Sequence, residues 1–376
     1  MVAKYSSSFF VRKFKAFFLL ILSSLGFSVG LVLARLNGDE SLLPKILDFQ
    51  SVVVLVSFVL QLGSRAALRV HHYNNRHRLV NVSEDFLYLL LVPLSVLGLF
   101  FETYFDRGFY IVASCALTLV TLRLALSVAR QDLKAQFKYT VVNFLLCISG
   151  SLFFIVEVGG IRPDILIELL SLLIILTLYE KIDISIVIKY RKAIFSIFYK
   201  AQSYQFGSGA ISFMVFVLTQ SMILNYSDSI VMVAYTDIQI ASGFLTLFIG
   251  QALLLFESKL YAEDEARLKV FGGILLLQIF LAILFSSIVC LVYEVSFSLM
   301  FVISFILSSR VVLGYIVQYA AGKRLWLNLF FCLLLMFYLT YYLFFLGNDI
   351  EFQIVPVFLF VTFGCCLFWV RRQNAK

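Results

Sequence analysis

Three charged residues stand inside long apolar runs of this 376-residue chain, at Arg123, Asp237 and Arg310. An ionised side chain is costly in such a run, and it usually has a partner or a function. Arg310 lies thirteen residues before Lys323, which is about 20 Å of helix. Because that distance is too long to reach water easily, we expect Arg310 to face an aqueous or paired interior. Arg123 lies seven residues before Arg130, about 10 Å, so both snorkelling and an interior role are open.

Asp237 is the acidic member of the three and sits in the segment Ala-Tyr-Thr-Asp-Ile-Gln, about two turns into an apolar run. A carboxylate at that depth could have a raised pKa and exchange a proton. We therefore predict a role for Asp237 in ion coupling. A structural ion pair with Arg310 or another basic group is the alternative.

Three more arginines stand at the ends of apolar runs. Arg35 follows the first run, and Arg65 and Arg69 follow the second. Anchoring of helix ends explains each of them separately. Together they could also give a cavity a cationic lining, which suits phosphate groups because guanidinium binds them with paired hydrogen bonds.

The composition limits what elements can carry these charges. The chain is 62% hydrophobic and 14% charged, with 41 Phe residues and a mean hydropathy of +0.98. A soluble domain has about 25% charged residues, so a soluble enzyme is excluded. The metalloprotease, serine-hydrolase and Walker motifs are all absent, so we expect no enzymatic activity and no cofactor.

The sequence also argues against a metal site. His71, His72 and His77 lie in a basic loop, where a solvated surface is the expected reading. The six cysteines fall within apolar runs, without the spacing of metal ligands.

Twelve runs are long enough to cross a membrane, since a crossing helix needs roughly 20 mostly apolar residues. They are 14–34, 46–63, 86–101, 109–129, 139–156, 164–180, 208–225, 230–256, 270–293, 296–318, 325–346 and 352–370. The fold class predicted is an all-α polytopic membrane protein.

The basic residues sort by side if the N-terminus is cytoplasmic. Of the 30 Lys and Arg residues, 24 then lie at cytoplasmic ends and four on the opposite face. Such a bias is typical of the positive-inside rule and predicts that both termini are cytoplasmic. Most of the net charge of +8 therefore reflects topology and not a nucleic-acid partner.

The longest basic linker, 181–207, divides the spans six and six. We predict an N-terminal six-helix bundle at 1–180, an amphipathic cytoplasmic linker at 181–207 and a C-terminal six-helix bundle at 208–376. Arg123 and Arg310 fall in the fourth span of each half, which favours the repeated architecture of secondary transporters.

Short motifs add a family resemblance. The segment 33–38, Leu-Ala-Arg-Leu-Asn-Gly, resembles the "ARLLG" segment of polysaccharide (O-antigen type) flippases of the MOP exporter superfamily. The segment 62–69, Leu-Gly-Ser-Arg-Ala-Ala-Leu-Arg, is similar to their "LGLSRALIR", and 230–235 is similar to their entry into the eighth span. This chain has Met232 where the family usually has Gly. It has Gln220-Ser221 in place of a frequent Asp-Arg pair.

The resemblance implies a MATE-like fold of two six-helix bundles around a central cavity. It implies flipping of an undecaprenyl-pyrophosphate-linked oligosaccharide across the bacterial inner membrane. The partners it implies are membrane lipids and the polymerase and chain-length proteins of the same pathway. An ion gradient would drive alternating access. The substrate-binding residues predicted for this cavity are Arg35, Arg65, Arg69, Arg123 and Arg310.

Two other functions stay open at the level of sequence. A multidrug or small-molecule antiporter of the same superfamily would favour an acidic cavity, and Arg310 argues against that. A membrane polysaccharide polymerase would need a large outer loop, whereas the predicted outer loops are at most about a dozen residues.

Overall fold

A computed structural model gives the architecture of most of the first half of the chain and part of the second. The described residues are 2–37, 42–61, 68, 77–105, 108–156, 162–178, 182, 184–205, 230–243, 245, 249, 264–305, 307 and 308. No strand occurs in these ranges. Their helices are α1 (Val2–Asn37), α2 (Leu42–Leu60), α3 (His77–Phe105), α4 (Gly108–Ala129), α5 (Leu133–Ile155), α6 (Pro163–Thr177), α7 (Ile184–Gln205), α8 (Ile230–Gly243), α9 (Asp264–Tyr293) and a helical segment at 297–305.

Five of these helices are long and apolar enough to cross a membrane: α2, α3, α4, α5 and α9. Helix α1 makes a sixth if its two halves, which meet at a bend of 44°, form one span. These helices lie where the sequence predicts spans. The predicted spans 208–225, 325–346 and 352–370 lie outside the described residues, so the count of twelve stays a prediction.

The chain divides into two compact units, Met1–Gln202 and Ser203–Lys376. In the first unit α4 is the central helix, because 83% of its apolar window is buried by α2, α3, α5 and α6. In the second unit only 22% of the corresponding window of α9 is buried. The exposed side chains of α9 include Leu276, Phe280 and Leu291, which form an apolar surface suited to lipid.

Close helix packing in the first unit depends on glycine. A Cβ atom added to Gly30 of α1 would lie 2.2 Å from the Ser151 Oγ and 2.5 Å from its Cβ, both on α5. One added to Gly26 would lie 2.6 Å from the Cβ of Cys147 on the same helix. The Gly-x-x-x-Gly spacing of α1 therefore lets two backbones approach closely, as it does in many membrane helix pairs.

Polar side chains join α4 to α2 at regular intervals. Thr118 donates to the Ser57 carbonyl at 3.3 Å and lies 3.0 Å from the Ser57 hydroxyl, and Gln61 donates to Thr121 at 3.3 Å. Such bonds between membrane helices contribute about 0.6 kcal/mol each on average. They fix the rotation of α4, and with it the direction in which Arg123 points.

A tight turn connects α4 to α5 and is closed by a helix cap. Gln131 has a positive φ of 56°, and Asp132 accepts hydrogen bonds from the backbone N–H groups of Lys134 and Ala135 at 3.0 and 3.1 Å. The side-chain oxygen thus satisfies donors that the first turn of α5 leaves without a partner.

Helix α7 occupies most of the predicted linker 181–207 and packs against the start of α3. The Phe86 ring lies 5.8 Å from the Phe195 ring and 5.7 Å from the Phe198 ring, between centroids. The Arg78 guanidinium lies 5.5 Å from the centre of the Tyr190 ring. The assignment of 1–180 and 208–376 to two six-helix bundles stays a prediction.

Candidate functional site

Arg123 forms a buried ion pair. Of the two arginines predicted to lie inside the membrane, it is the one within the described residues. Arg123 projects from α4, and its Nε lies 2.7 Å from the Oε1 of Glu84 on α3. The two side chains are 8% and 7% exposed. The Arg123 charge therefore has a carboxylate partner from a neighbouring helix.

Two further polar residues complete what we call the Glu84 cluster, defined as Asn81, Glu84, Arg123 and Arg130. The Arg130 Nη2 lies 3.2 Å from the second oxygen of Glu84 and donates to the Asn81 Oδ1 at 2.9 Å. Arg130 is partly exposed and marks the end of α4 that we predict to be cytoplasmic. One carboxylate is thus bracketed by two guanidinium groups, one buried and one at the surface.

The Glu84 cluster lies on helices whose adjacent positions are packed with apolar side chains. Val80 and Leu87 of α3 and Leu122 and Leu126 of α4 belong to one buried apolar group. A charge in such surroundings is tolerated only with a partner. This arrangement favours a structural role for Arg123, while its predicted role in substrate binding stays a prediction.

Helix α1 is held to its neighbours through its backbone. Three of its carbonyl groups, spaced four residues apart, accept hydrogen bonds from side chains of neighbouring helices. On α5, Thr140 donates to the Leu19 carbonyl at 3.3 Å and Asn143 donates to the Ser23 carbonyl at 2.7 Å. On α2, Gln50 donates to the Phe27 carbonyl at 3.1 Å. Carbonyl groups drawn toward outside donors are a known cause of helix bending, and α1 is bent in this region.

Arg35 occupies the last turn of α1 and is partly buried. Its neighbours Leu31 and Ala34 are buried, so the end of the helix is packed into the first unit. A cation at a helix C-terminus also interacts favourably with the helix dipole. The other arginines of the predicted cationic lining, Arg65, Arg69 and Arg310, lie outside the described residues.

The second unit contains the other predicted intramembrane charge. Asp237 lies on α8, and its Oδ2 accepts a hydrogen bond from the Tyr293 hydroxyl at the end of α9. Asp237 is partly buried, and its neighbours Thr236 and Gln239 are buried. The phenol and the carboxylate join two predicted spans at the side of the membrane we predict to be outer.

Comparisons with known proteins bear on the fold. No family model matches the sequence, and no curated protein matches it. A solved structure of a variant of the MATE transporter VcmN from Vibrio cholerae covers 98% of this chain and 97% of its own, with a TM-score of 0.53 at 12% identity. The chain has the MATE transporter fold.

A second solved structure, a MOP superfamily transporter from Pyrococcus furiosus, covers 97% of this chain and 95% of its own. Its TM-score is 0.47 at 11% identity. The prediction of an all-α polytopic membrane protein with a MATE-like fold is confirmed. Because identities this low define only a fold, the function of this chain is a separate question.

Sequence reasoning missed the two partners that this MATE-like structure gives to its charged residues. Glu84 counts by position as a cytoplasmic-face acid, although it is buried against Arg123. Tyr293 ends a predicted span, where aromatic residues are common anyway. No spacing in the sequence connects either residue to its partner, because each pair joins different helices.

Helix α6 adds buried acids whose packing the sequence did not predict. Asp164 and Glu168 are 9% and 8% exposed and share a face with Ser171, which is fully buried. Arg162, just before the helix, donates to Asp164 through its Nε at 3.2 Å. Glu168 lies near the start of the predicted span 164–180, and its position in the sequence does not show that it is buried.

Metal binding finds no support in the described part of the chain. No group of three or more His, Cys, Asp or Glu residues there could hold an ion. His77 is exposed at the start of α3, and Cys115 and Cys147 are buried as free thiols. His71 and His72 lie outside the described residues.

Proposed function

We propose that this protein is a membrane transporter that flips a lipid-linked oligosaccharide, carried on undecaprenyl pyrophosphate, to the outer leaflet of the bacterial inner membrane. The observation that carries a transport function is the MATE transporter fold over 98% of the chain. The flipping of a lipid-linked oligosaccharide is the more specific part of the proposal. It rests on the flippase-like segments around Arg35 and Arg69 and on the basic residues in and beside the spans.

The chemistry of the substrate fits basic residues. A pyrophosphate carries negative charge and needs cations in a wet interior, whereas its polyprenyl tail can stay in lipid. The proposal assigns pyrophosphate binding to the basic residues predicted for the cavity, with Arg35 at the end of the first span and Arg310 inside the tenth as the two to test first. Rocking of the two halves would expose these residues to each side in turn.

Ion coupling is assigned to Asp237 and its hydrogen bond from Tyr293. Protonation of a carboxylate removes its charge and changes the hydrogen bonds it can make. A change at this point would alter the contact between α8 and α9. The transport cycle could thus be linked to a proton or cation gradient without ATP hydrolysis.

A flipping assay on the reconstituted full chain tests the proposal. A fluorescent polyprenyl-pyrophosphate oligosaccharide in vesicles is exposed to a glycosidase that cannot cross the bilayer. The parent protein is expected to make the inner-leaflet substrate accessible. Arg35→Gln is expected to slow this, and Lys45→Gln, which removes an exposed cation near the same predicted outer face, is the matched control.

Arg310 offers the stronger version of the same test. Arg310→Ala is expected to abolish flipping, and Arg310→Lys separates charge from the paired hydrogen bonds of a guanidinium. Full flipping by Arg310→Ala, with surface glycan intact in cells, would sink the cationic-site proposal.

A second candidate is antiport of small cationic molecules, as expected for a drug exporter. Two acidic residues in predicted spans favour it, because Asp237 lies within α8 and Glu168 is buried in α6. Resistance to cationic drugs on expression, without any change of surface glycan, would favour this function. Loss of resistance in Asp237→Asn would then identify the acid responsible.

The proposed setting is the bacterial inner membrane with both termini cytoplasmic. Glycan polymerase and chain-length proteins would consume the flipped product. Membrane-impermeant labelling of single cysteines placed at residues 4 and 376 in intact cells would test the orientation. Labelling from outside would contradict it.

A further inference from the structure

Helix α7 carries a second apolar stripe besides the one it buries. Its buried side, with Val187, Ile194 and Phe198, packs against α3 and α4. The side next to it exposes Ile184, Ile188 and Phe195, which are 56%, 54% and 62% exposed. With Arg191 between them, these positions follow spacings of four, three and four residues and so form one line along the helix.

Cations accompany this stripe without any acidic residue. Lys189, Arg191 and Lys192 are all exposed, and the sequence of α7 contains no Asp or Glu. Basic helices with an exposed apolar line are typical of surfaces that lie in the membrane interface. The sign of the charge fits an anionic ligand, and the apolar line fits one that is attached to hydrocarbon.

The stripe is continuous with the apolar surface of α3. The exposed Phe195 ring contacts Phe86, with 5.8 Å between centroids. Phe86 shares a face of α3 with Leu90 and Leu97, both exposed. Because Phe86 begins the predicted third span, Phe195 lies at the level where hydrocarbon starts. Lys192, three residues earlier, lies about 4.5 Å along the helix from it.

We propose that the exposed face of α7 is a binding surface for anionic phospholipids of the cytoplasmic leaflet. Phe195 inserts at the hydrocarbon boundary, and Lys189, Arg191 and Lys192 contact the headgroups. Anionic lipid would hold α7 against the start of α3. The proposal uses the predicted orientation of the chain in the membrane and does not depend on the transported substrate.

A tryptophan reporter in place of Phe195 tests this directly. In the full chain the two native tryptophans, Trp326 and Trp369, are replaced by phenylalanine, and Phe195→Trp supplies the signal. The protein is reconstituted with phosphatidylcholine and phosphatidylglycerol, one of which carries brominated acyl chains. Brominated phosphatidylglycerol is expected to quench the emission more than brominated phosphatidylcholine does.

Charge variants then identify the residues that select the lipid. The triple variant Lys189→Gln, Arg191→Gln, Lys192→Gln is expected to remove the preference for phosphatidylglycerol. Each cation near an anionic surface raises the affinity for it by about fivefold. The matched control removes three exposed cations elsewhere on the predicted cytoplasmic side, by Lys15→Gln, Lys134→Gln and Lys138→Gln, and is expected to keep it.

Three outcomes would overturn the proposal. Equal quenching by both lipids means that the helix does not select charge. No quenching by either brominated lipid means that protein, and not lipid, covers the stripe. Equal loss of preference in both triple variants assigns the effect to overall charge.

Hydrogen exchange of the unsubstituted protein gives a second measurement that needs no variant. Exchange at residues 184–198 is expected to slow when phosphatidylglycerol is added to phosphatidylcholine, and unchanged exchange there counts against the proposal.

Discussion

The Glu84 cluster gives a sharp test of whether Arg123 is structural. Glu84→Gln keeps the shape of the side chain and removes its charge, so the buried Arg123 guanidinium loses its partner at 2.7 Å. Breaking a buried pair in this way costs about 3–5 kcal/mol. We expect about 3 kcal/mol, since Arg123 lies within roughly 10 Å of the helix end and can gain some water.

The surface arginine should matter far less. The Arg130 side chain is 37% exposed, and its Nη2 lies 3.2 Å from Glu84. An ion pair of that kind contributes about 0–1 kcal/mol. Arg130→Gln is therefore the matched control, because it removes the same type of charge from the same carboxylate.

The assay is the free energy of unfolding in mixed micelles, measured for Glu84→Gln, Arg123→Gln and the double variant. Removing both charges leaves no buried ion without its partner, since Arg130 is at the surface, so the double variant should recover about 2 kcal/mol relative to the sum of the single variants. Replacing both residues by methionine should return stability close to that of the parent protein.

One combination of results would refute this reasoning. If Arg123→Gln leaves stability unchanged, abolishes transport, and shows no energetic coupling to Glu84→Gln, then Arg123 serves a ligand and not the fold. The pair in the structure would then be incidental to stability.

Two further comparisons use matched positions. Gly30→Ala should destabilise the protein by about 1–3 kcal/mol, because the new Cβ would lie 2.5 Å from the Ser151 Cβ, whereas Gly272→Ala on α9 has open space and should be neutral or stabilising by thermal unfolding. Tyr293→Phe removes the hydrogen bond to Asp237 and should change the pH or cation dependence of transport, and Tyr110→Phe, which removes a tyrosine–aspartate bond in the first unit, should not. Identical ion dependence in both tyrosine variants would count against coupling at Asp237.

The positions of the helices were largely predictable because a chain segment that crosses lipid must be helical in an all-α protein. A span must satisfy its hydrogen bonds internally, so an apolar run of sufficient length becomes a helix. The predicted span 109–129 corresponds closely to α4 at Gly108–Ala129. Hydropathy does not detect the part of a helix that continues into water. Helix α3 begins at His77, whereas the apolar run in the sequence begins at Phe86.

The partners in the candidate site were not predictable for a different reason. Which side chain meets Arg123 depends on how α3 and α4 are rotated about their axes. That rotation is fixed by contacts such as Thr118 with Ser57, between residues 61 positions apart. A single sequence places Glu84 only at a depth along its helix. The pairing follows from packing.

The two candidate functions make different demands on the charged residues. A flippase needs cations for a pyrophosphate, and Arg310 and Arg35 are the predicted candidates tested above. A cation antiporter needs an acid, and Asp237 is the candidate the sequence itself singled out. The two functions therefore require opposite charges at different residues. Arg310→Ala should abolish transport only if the substrate is anionic. Asp237→Asn should leave substrate binding intact in a flippase and change only its coupling, whereas in a cation antiporter it should remove binding itself.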